Sequence, residues 1–183
     1  MVKIDYDMQL YSGRKFYPGN LSPDMVDIRD IAAALSKVCR FGGHTLRFFS
    51  VAEHSIVVSK LVKHYTKSDE LALQGLLHDV QEAYVGDFPT PLKRYFPQLN
   101  QIQDMAWEAC AAKLGQPAVL DPIVKQCDLE CLTLEVRQNM AKPIDVDWSG
   151  LKEPGYTVAL EFLDPKKAER RFLRRYRDLG GKY

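Results

Sequence analysis

The chain has 183 residues, 25 Lys and Arg against 24 Asp and Glu, and a net charge of +1, a size that fits one domain of about 100–200 residues. With 46% apolar and 27% charged residues the composition is globular, which excludes a disordered, collagenous or coiled-coil chain. The near-neutral balance argues against a protein that coats duplex phosphates, so nucleic acid is not an expected partner, and it leaves a nucleotide open.

The first 25 residues hold Gly13, Pro18, Gly19, Asn20, Ser22 and Pro23, a turn-rich arm expected to lie across the surface. Residues 1–26 are read as this arm and 27–183 as the domain proper. Helical spacing begins at Asp27, with Ile28, Ile31, Ala32, Leu35 and Val38, and stops at Gly42-Gly43. A second helix is predicted from about Ser50, its apolar positions being Val51, Ile56, Val58, Leu61 and Val62. Ser68 and Asp69 offer an N-cap for a third, whose Leu73, Leu76, Leu77, Val80 and Tyr84 share one stripe.

The run Asp87-Phe-Pro-Thr-Pro is predicted to be an extended break, since two prolines remove two backbone donors. Helices follow over Leu99–Leu114, closed by Gly115, and from Pro122 to about Met140. The segment 142–163 reads as loop with a short strand or helical turn. Asp164-Pro165 then opens a last helix through Tyr176. The fold class is all-α, a single helical bundle. No apolar run approaches the about 20 residues that span a bilayer, and Met1–Gly13 lacks a signal-peptide layout, so no membrane association and a cytoplasmic location are expected. The four cysteines, Cys39, Cys110, Cys127 and Cys131, show no C-x-x-C pair, and Cys127 and Cys131 read as small buried hydrophobes.

The chemistry centres on His78-Asp79, an imidazole beside a carboxylate on an apolar helix, a donor set suited to divalent metals. Glu82 follows His78 by four residues and Asp79 by three, on the same helical face, and Asp87 lies just past the helix end. His54 sits on the preceding helix near its buried side, and Asp128 on a later one flanked by Val124 and Leu132. Antiparallel helices bring such residues together at the core of a bundle.

The spacing His54, His78-Asp79, Asp128 resembles the HD-domain metal phosphohydrolase superfamily over about residues 28–137. Arg40-Phe41 ahead of Ser-Val-Ala-Glu-His-Ser, then Leu-Leu-His-Asp-Val-Gln-Glu-Ala-Tyr-Val-Gly-Asp-Phe-Pro-Thr-Pro-Leu-Lys, is similar to the branch containing bacterial 5′-deoxynucleotidases and the phage dATP triphosphohydrolases called DatZ. The resemblance implies an HD-domain helical bundle with His54, His78, Asp79 and Asp128 as ligands of a divalent metal, Zn, Co, Mn or Mg. It makes Glu82 the acid/base and Asp87 the second candidate for proton transfer. Arg40, Phe41, Pro91 and Lys93 match substrate-contacting positions, with Phe41 standing where the bacterial relatives have tryptophan. Arg14, Lys15, His44 and Arg47 either reach a triphosphate tail or are solvated surface charge.

The expected activity is metal-dependent hydrolysis of a deoxynucleotide. The Ser-Gly-Arg-Lys-Phe and Cys-Arg-Phe-Gly-Gly-His-Thr segments look phage-like, which points to dATP giving 2′-deoxyadenosine and triphosphate. The alternative is a 5′-deoxynucleotidase acting on monophosphates, and the alternative of another class a non-catalytic, metal-containing nucleotide-binding module. Relatives form homo-oligomers, so the resemblance implies one here. His64, ten residues past His54, is read as surface, and the basic run from Lys166 to Arg177 as a solvated face, a polyanion site or a subunit contact.

Overall fold

A computed structural model describes residues 8–17 and 19–182. Its elements are a hairpin, β1 (Met8–Gln9) and β2 (Lys15–Phe16), then α1 (Ile28–Leu35), α2 (Val51–Thr66), α3 (Asp69–Leu77), α4 (Glu82–Val85), α5 (Thr90–Tyr95), α6 (Gln98–Leu114), α7 (Pro122–Asn139) and α8 (Pro165–Asp178). The fold is mostly helical, as its composition and periodicity predict. No helix among the described residues is long and apolar enough to cross a membrane. Part of the N-terminal arm, Met1–Asp7 and Pro18, lies outside the described residues.

The central element is α2, packed against α1, α3, α7 and α8. Ser50 starts it by accepting the Glu53 N–H at 3.2 Å. Every residue from Val51 to Ser59 is buried, as expected for a helix covered on all sides. One apolar cluster joins Val51, Ala52 and Ile56 to α1, α3 and α8; a second joins Val57, Val58, Leu61 and Val62 to α7 and Leu160. The α2–α3 approach is close enough that a Cβ on Gly75 would meet Val62 Cγ2 at 3.0 Å, so a larger residue here requires Val62 to shift.

Because α2 has no solvent face over this stretch, its polar residues need internal partners, which among the described residues all but the Ser55 hydroxyl have. Glu53 accepts the N–H groups of Glu161, Phe162 and Leu163 at 2.8, 2.9 and 2.7 Å, tying the segment before α8 to the core. Ser59 donates to the Ala72 carbonyl at 2.7 Å and accepts from Arg175 of α8 at 3.0 Å. The hairpin is fixed from outside: Ser12 bonds buried Asp30 of α1 through its N–H (2.7 Å) and hydroxyl (2.9 Å), and Phe16 meets Tyr84 edge-on at 5.6 Å.

The first helix ends at Leu35, short of the Gly42-Gly43 stop suggested by its spacing, and two further local features differ from the sequence reading. The third helix does not run on to Tyr84 but ends at Leu77, and α4 begins afresh at Glu82. Gly75 O, which a continuing helix would offer to the Asp79 N–H, lies 2.9 Å from His78 Nδ1 instead. The intervening turn tightens, with Glu82 N–H donating to Asp79 O at 3.0 Å. The second feature is α5: the extended break ends at Pro89, and Thr90–Tyr95 is helical because Pro91 stands in its first turn, where no donor is required.

Candidate metal centre

Three elements converge on one point. His54 lies one turn into α2 and is fully buried. His78 and Asp79 leave the end of α3, and Asp128 projects from the second turn of α7. His54 Nε2 is 3.2 Å from His78 Nε2, 3.4 Å from Asp79 Oδ2 and 3.4 Å from Asp128 Oδ1. His78 Nε2 is 3.1 Å from Asp79 Oδ2 and 3.9 Å from Asp128 Oδ1. An ion bonded at about 2.0–2.2 Å would separate its donors by about 2.8–3.6 Å; the pairs at 3.1–3.4 Å fall in that window, His78–Asp128 at 3.9 Å lies just outside it, and His54, His78 and Asp128 form a close-set ligand group to which Asp79 is adjacent.

The chemistry of the donor set agrees. Both imidazoles have Nδ1 engaged, His54 with Glu135 Oε1 at 2.6 Å and His78 with Gly75 O at 2.9 Å, which turns both Nε2 atoms inward. Two ring nitrogens and two carboxylate oxygens so close together need positive charge among them. Burial and Arg40 oppose a charge on His54, yet its neighbours, Glu135 and Asp128 among them, hold its pKa well above the ordinary histidine value. Against the cost of burial, His78 and His54 hold Asp79 well below the carboxylate range; the His54 hydrogen bond, then His78, does the same for Asp128.

A second ligand combination, His54, Cys131 and Glu135, is also close-set and fully buried. It is the poorer cation site. Burial pushes the Cys131 thiol up to about 12, so it is no thiolate, and the Arg40 guanidinium sits 3.1 Å from Glu135. The His54/His78/Asp128 combination instead borders an open cavity of about 260 Å³ lined by His78, Asp79, Leu120, Pro122, Lys125 and Asp128.

Behind the cluster lies a buried ionic network that the sequence reading did not include. Glu135, 1% exposed, holds His54 on one side and Arg40 on the other, and Arg40 also reaches Asp87 at 3.4 Å. The signal was present: Asp128, Cys131 and Glu135 fall on one stripe of α7, three and seven residues apart. Against its burial, Arg40 and His54 hold Glu135 below its ordinary pKa.

Glu82 is 3% exposed, and its Oε2 has no hydrogen-bond partner among the described residues. Burial first, then the charges of Asp79 and Asp87, push it well above the glutamate range. Burial also raises Asp87, with Arg40 opposing. A carboxyl whose pKa is raised by burial and by neighbouring carboxylates is a natural proton carrier.

The substrate-contacting candidates divide. Arg40 is beside the cluster but neutralised by Glu135 and Asp87. Phe41 adopts a left-handed conformation (φ 55°) in the Arg40–Gly43 turn, its ring 5.5 Å from the Arg40 guanidinium carbon. Lys93 on α5 donates to Gln103 at 3.2 Å and lies near enough to lower Asp87, while Pro91 is exposed in the first turn of that helix. Among the described residues no hydrogen bond or ion pair joins Pro91 or Lys93 to the His/Asp cluster. Arg14 is bound to Asp30 and Asp27, Arg47 lies 3.7 Å over the Phe162 ring, and His44 and His64 are exposed.

No family model matches the chain. It is 34% identical over 174 residues to the uncharacterized protein YfdR of Escherichia coli K12, covering 94% of both chains. An uncharacterized protein of Rhodobacter capsulatus is 31% identical over 134 residues, 70% of this chain and 68% of that one. A shorter similarity, 29% over 72 residues, covers 39% of this chain and 37% of a 5′-deoxynucleotidase of Pasteurella multocida. On the near-complete overlap with the Escherichia coli protein, the chain belongs to the YfdR family.

Proposed function

We propose that this protein is a metal-dependent deoxynucleotide phosphohydrolase of the HD-domain type, acting on 5′-monophosphates. The observation that carries the reading is that Asp79 and Asp128 each place an oxygen within 3.9 Å of both His54 Nε2 and His78 Nε2, with the buried, unpartnered Glu82 Oε2 on the same stretch of chain. The partial similarity to a protein named 5′-deoxynucleotidase supports the same class.

A divalent cation held by these four side chains would supply Lewis acidity to a phosphate oxygen and to water. Glu135 and the Gly75 carbonyl keep both imidazoles turned toward it. Glu82, with its raised pKa, suits both halves of a proton transfer: it takes a proton from the attacking water and returns one to the departing 5′ oxygen. The new bond joins water oxygen to phosphorus, the phosphorus–O5′ bond breaks, and a nucleoside and inorganic phosphate leave. Arg40 holds Asp87 beside this path. A structural metal site needs the four ligands but not Glu82, which favours an enzyme over a binding module.

The dATP triphosphohydrolase reading, suggested by the phage-like segments, requires cations for a triphosphate tail. Arg14, Arg40 and Arg47 are engaged with Asp30, Glu135 and Phe162 respectively, and the cavity is small, which favours the monophosphate. The test is incubation of metal-loaded protein with each dNMP and dNTP, with products resolved by anion exchange. Phosphate released from monophosphates is expected; triphosphate released from dATP would transfer the protein to the second reading. No turnover with Zn, Co, Mn or Mg would overturn the enzyme reading.

A further inference from the structure

The strongest unassigned feature lies on another part of the molecule. Helix α8 carries seven Lys and Arg and two carboxylates over Pro165–Asp178, in a chain whose net charge is only +1. Its apolar stripe, Ala168, Phe172 and Tyr176, is fully used in the core. No apolar face is therefore left for insertion into a lipid surface, and what α8 offers outward is charge.

Beside α8 runs an open groove of about 600 Å³, with Lys60, Lys63, His64, Lys67, Tyr156 and Arg175 in its lining. The Tyr156 ring lies flat on His64, with centroids 3.8 Å apart and planes 8° apart, and stays 41% exposed. One carboxylate, Glu161, shares the lining, and Lys60 and Arg171 neutralise it at 3.6 and 2.5 Å. Lys63 holds Asp69 at 2.8 Å, an exposed pair that exchanges readily for a phosphate. Arg174 and Arg177 make no ion pair among the described residues and carry the positive surface on along α8, a helix about 21 Å long.

From these features we infer that the groove and the outer face of α8 bind single-stranded nucleic acid. A base stacks on Tyr156, which His64 backs, and successive phosphates run over Lys63, Lys67, Arg174 and Arg177. A charged groove combined with an aromatic platform is the arrangement that such strands require. A free nucleotide would leave Arg174 and Arg177 unused, and duplex DNA offers no unstacked base to Tyr156. The near-neutral total charge, which argues against phosphate coating, averages over an uneven surface. Lys63 and Lys67 follow His54 by nine and thirteen residues along α2, roughly 14–20 Å, so this site is separate from the metal centre.

The test is fluorescence anisotropy with a labelled oligothymidylate of about twelve nucleotides, on the full chain in chelator, so that metal-dependent hydrolysis plays no part. Binding that weakens steeply with salt is expected, unchanged in His78→Ala. Lys63→Glu with Arg174→Glu should weaken it at least about tenfold, and Tyr156→Ala should weaken it about fivefold or more with an unaltered salt slope, with Tyr156→Phe restoring it. Folding is checked by the thermal transition, and Tyr156→Ala should leave nucleotide hydrolysis unchanged. The inference is overturned by no binding, by equal binding of a duplex of the same length, by loss of binding in His78→Ala, or by binding to anionic phosphatidylserine vesicles alone.

Discussion

Glu135 Oε1 lies 2.6 Å from His54 Nδ1, a contact between residues 81 apart in the chain, and it fixes which nitrogen His54 turns toward His78. The same carboxylate is bound by Arg40 at 3.1 Å, so the imidazole is held by a group that is itself held.

That relay sets the first expectation. Glu135→Gln keeps an acceptor for Nδ1–H but removes the charge that raises ligand basicity, and metal affinity should fall about 10–100-fold. Competition against a fluorescent chelator measures it. Glu135→Ala also leaves Arg40 with Asp87 as its remaining ion-pair partner, and should cost about 1–3 kcal/mol of stability. An unchanged affinity in Glu135→Gln would remove Glu135 from the metal centre.

Metal should also appear as stability. A cation that binds only the folded protein raises the transition temperature with concentration, by about 2.7 kcal/mol at a hundredfold excess over Kd. Scanning with chelator and with added Mn, Co or Zn should show the rise in the wild type and its loss in His78→Ala and Asp128→Asn. A rise that survives both substitutions would place the binding elsewhere.

Glu82 gives a pH signature. Its folded pKa lies above the unfolded value of about 4.3, so between those two values folding takes up a proton and stability falls as pH rises. Glu82→Gln removes this penalty. In metal-free protein the variant should match the wild type near pH ~4 and melt higher near pH ~7, while losing about 10²-fold or more of its activity. Equal melting differences at both pH values would show that Glu82 ionises normally.

How far these residues were legible depends on the range of the interaction. His54, His78, Asp79 and Asp128 stand out as polar letters in apolar periodic segments, and the helices carrying them follow from that periodicity. Glu135 did not, because a lone glutamate in Leu-Glu-Val-Arg reads as a solvated position until the fold buries it against Arg40, 95 residues away. The end of α3 was equally hidden: no Gly or Pro marks Leu77-His78-Asp79, and the break coincides with the close approach of a histidine ring to its own helix. Arg40 matches a substrate-contacting position by resemblance, and nothing local announces its two carboxylate partners, Glu135 and Asp87.

The anchoring of the segment before α8 predicts a purely structural effect. Glu53 accepts three backbone N–H groups, and Glu53→Ala leaves them without that acceptor. The loss should be about 3 kcal/mol or more, a fall of about 6–12 °C in the transition temperature by calorimetry. A variant as stable as the wild type would mean that water replaces the carboxylate at no cost.

The most direct measurement of the central claim is phosphate release from deoxynucleoside monophosphates by chelator-stripped protein, before and after metal is restored, in the wild type and in Asp79→Asn. The expected result is release only from the metal-restored wild type, with none from Asp79→Asn at the same metal concentration. Release that persists in chelator, or that Asp79→Asn retains in full, would contradict a metal-dependent hydrolase centred on His54, His78, Asp79 and Asp128.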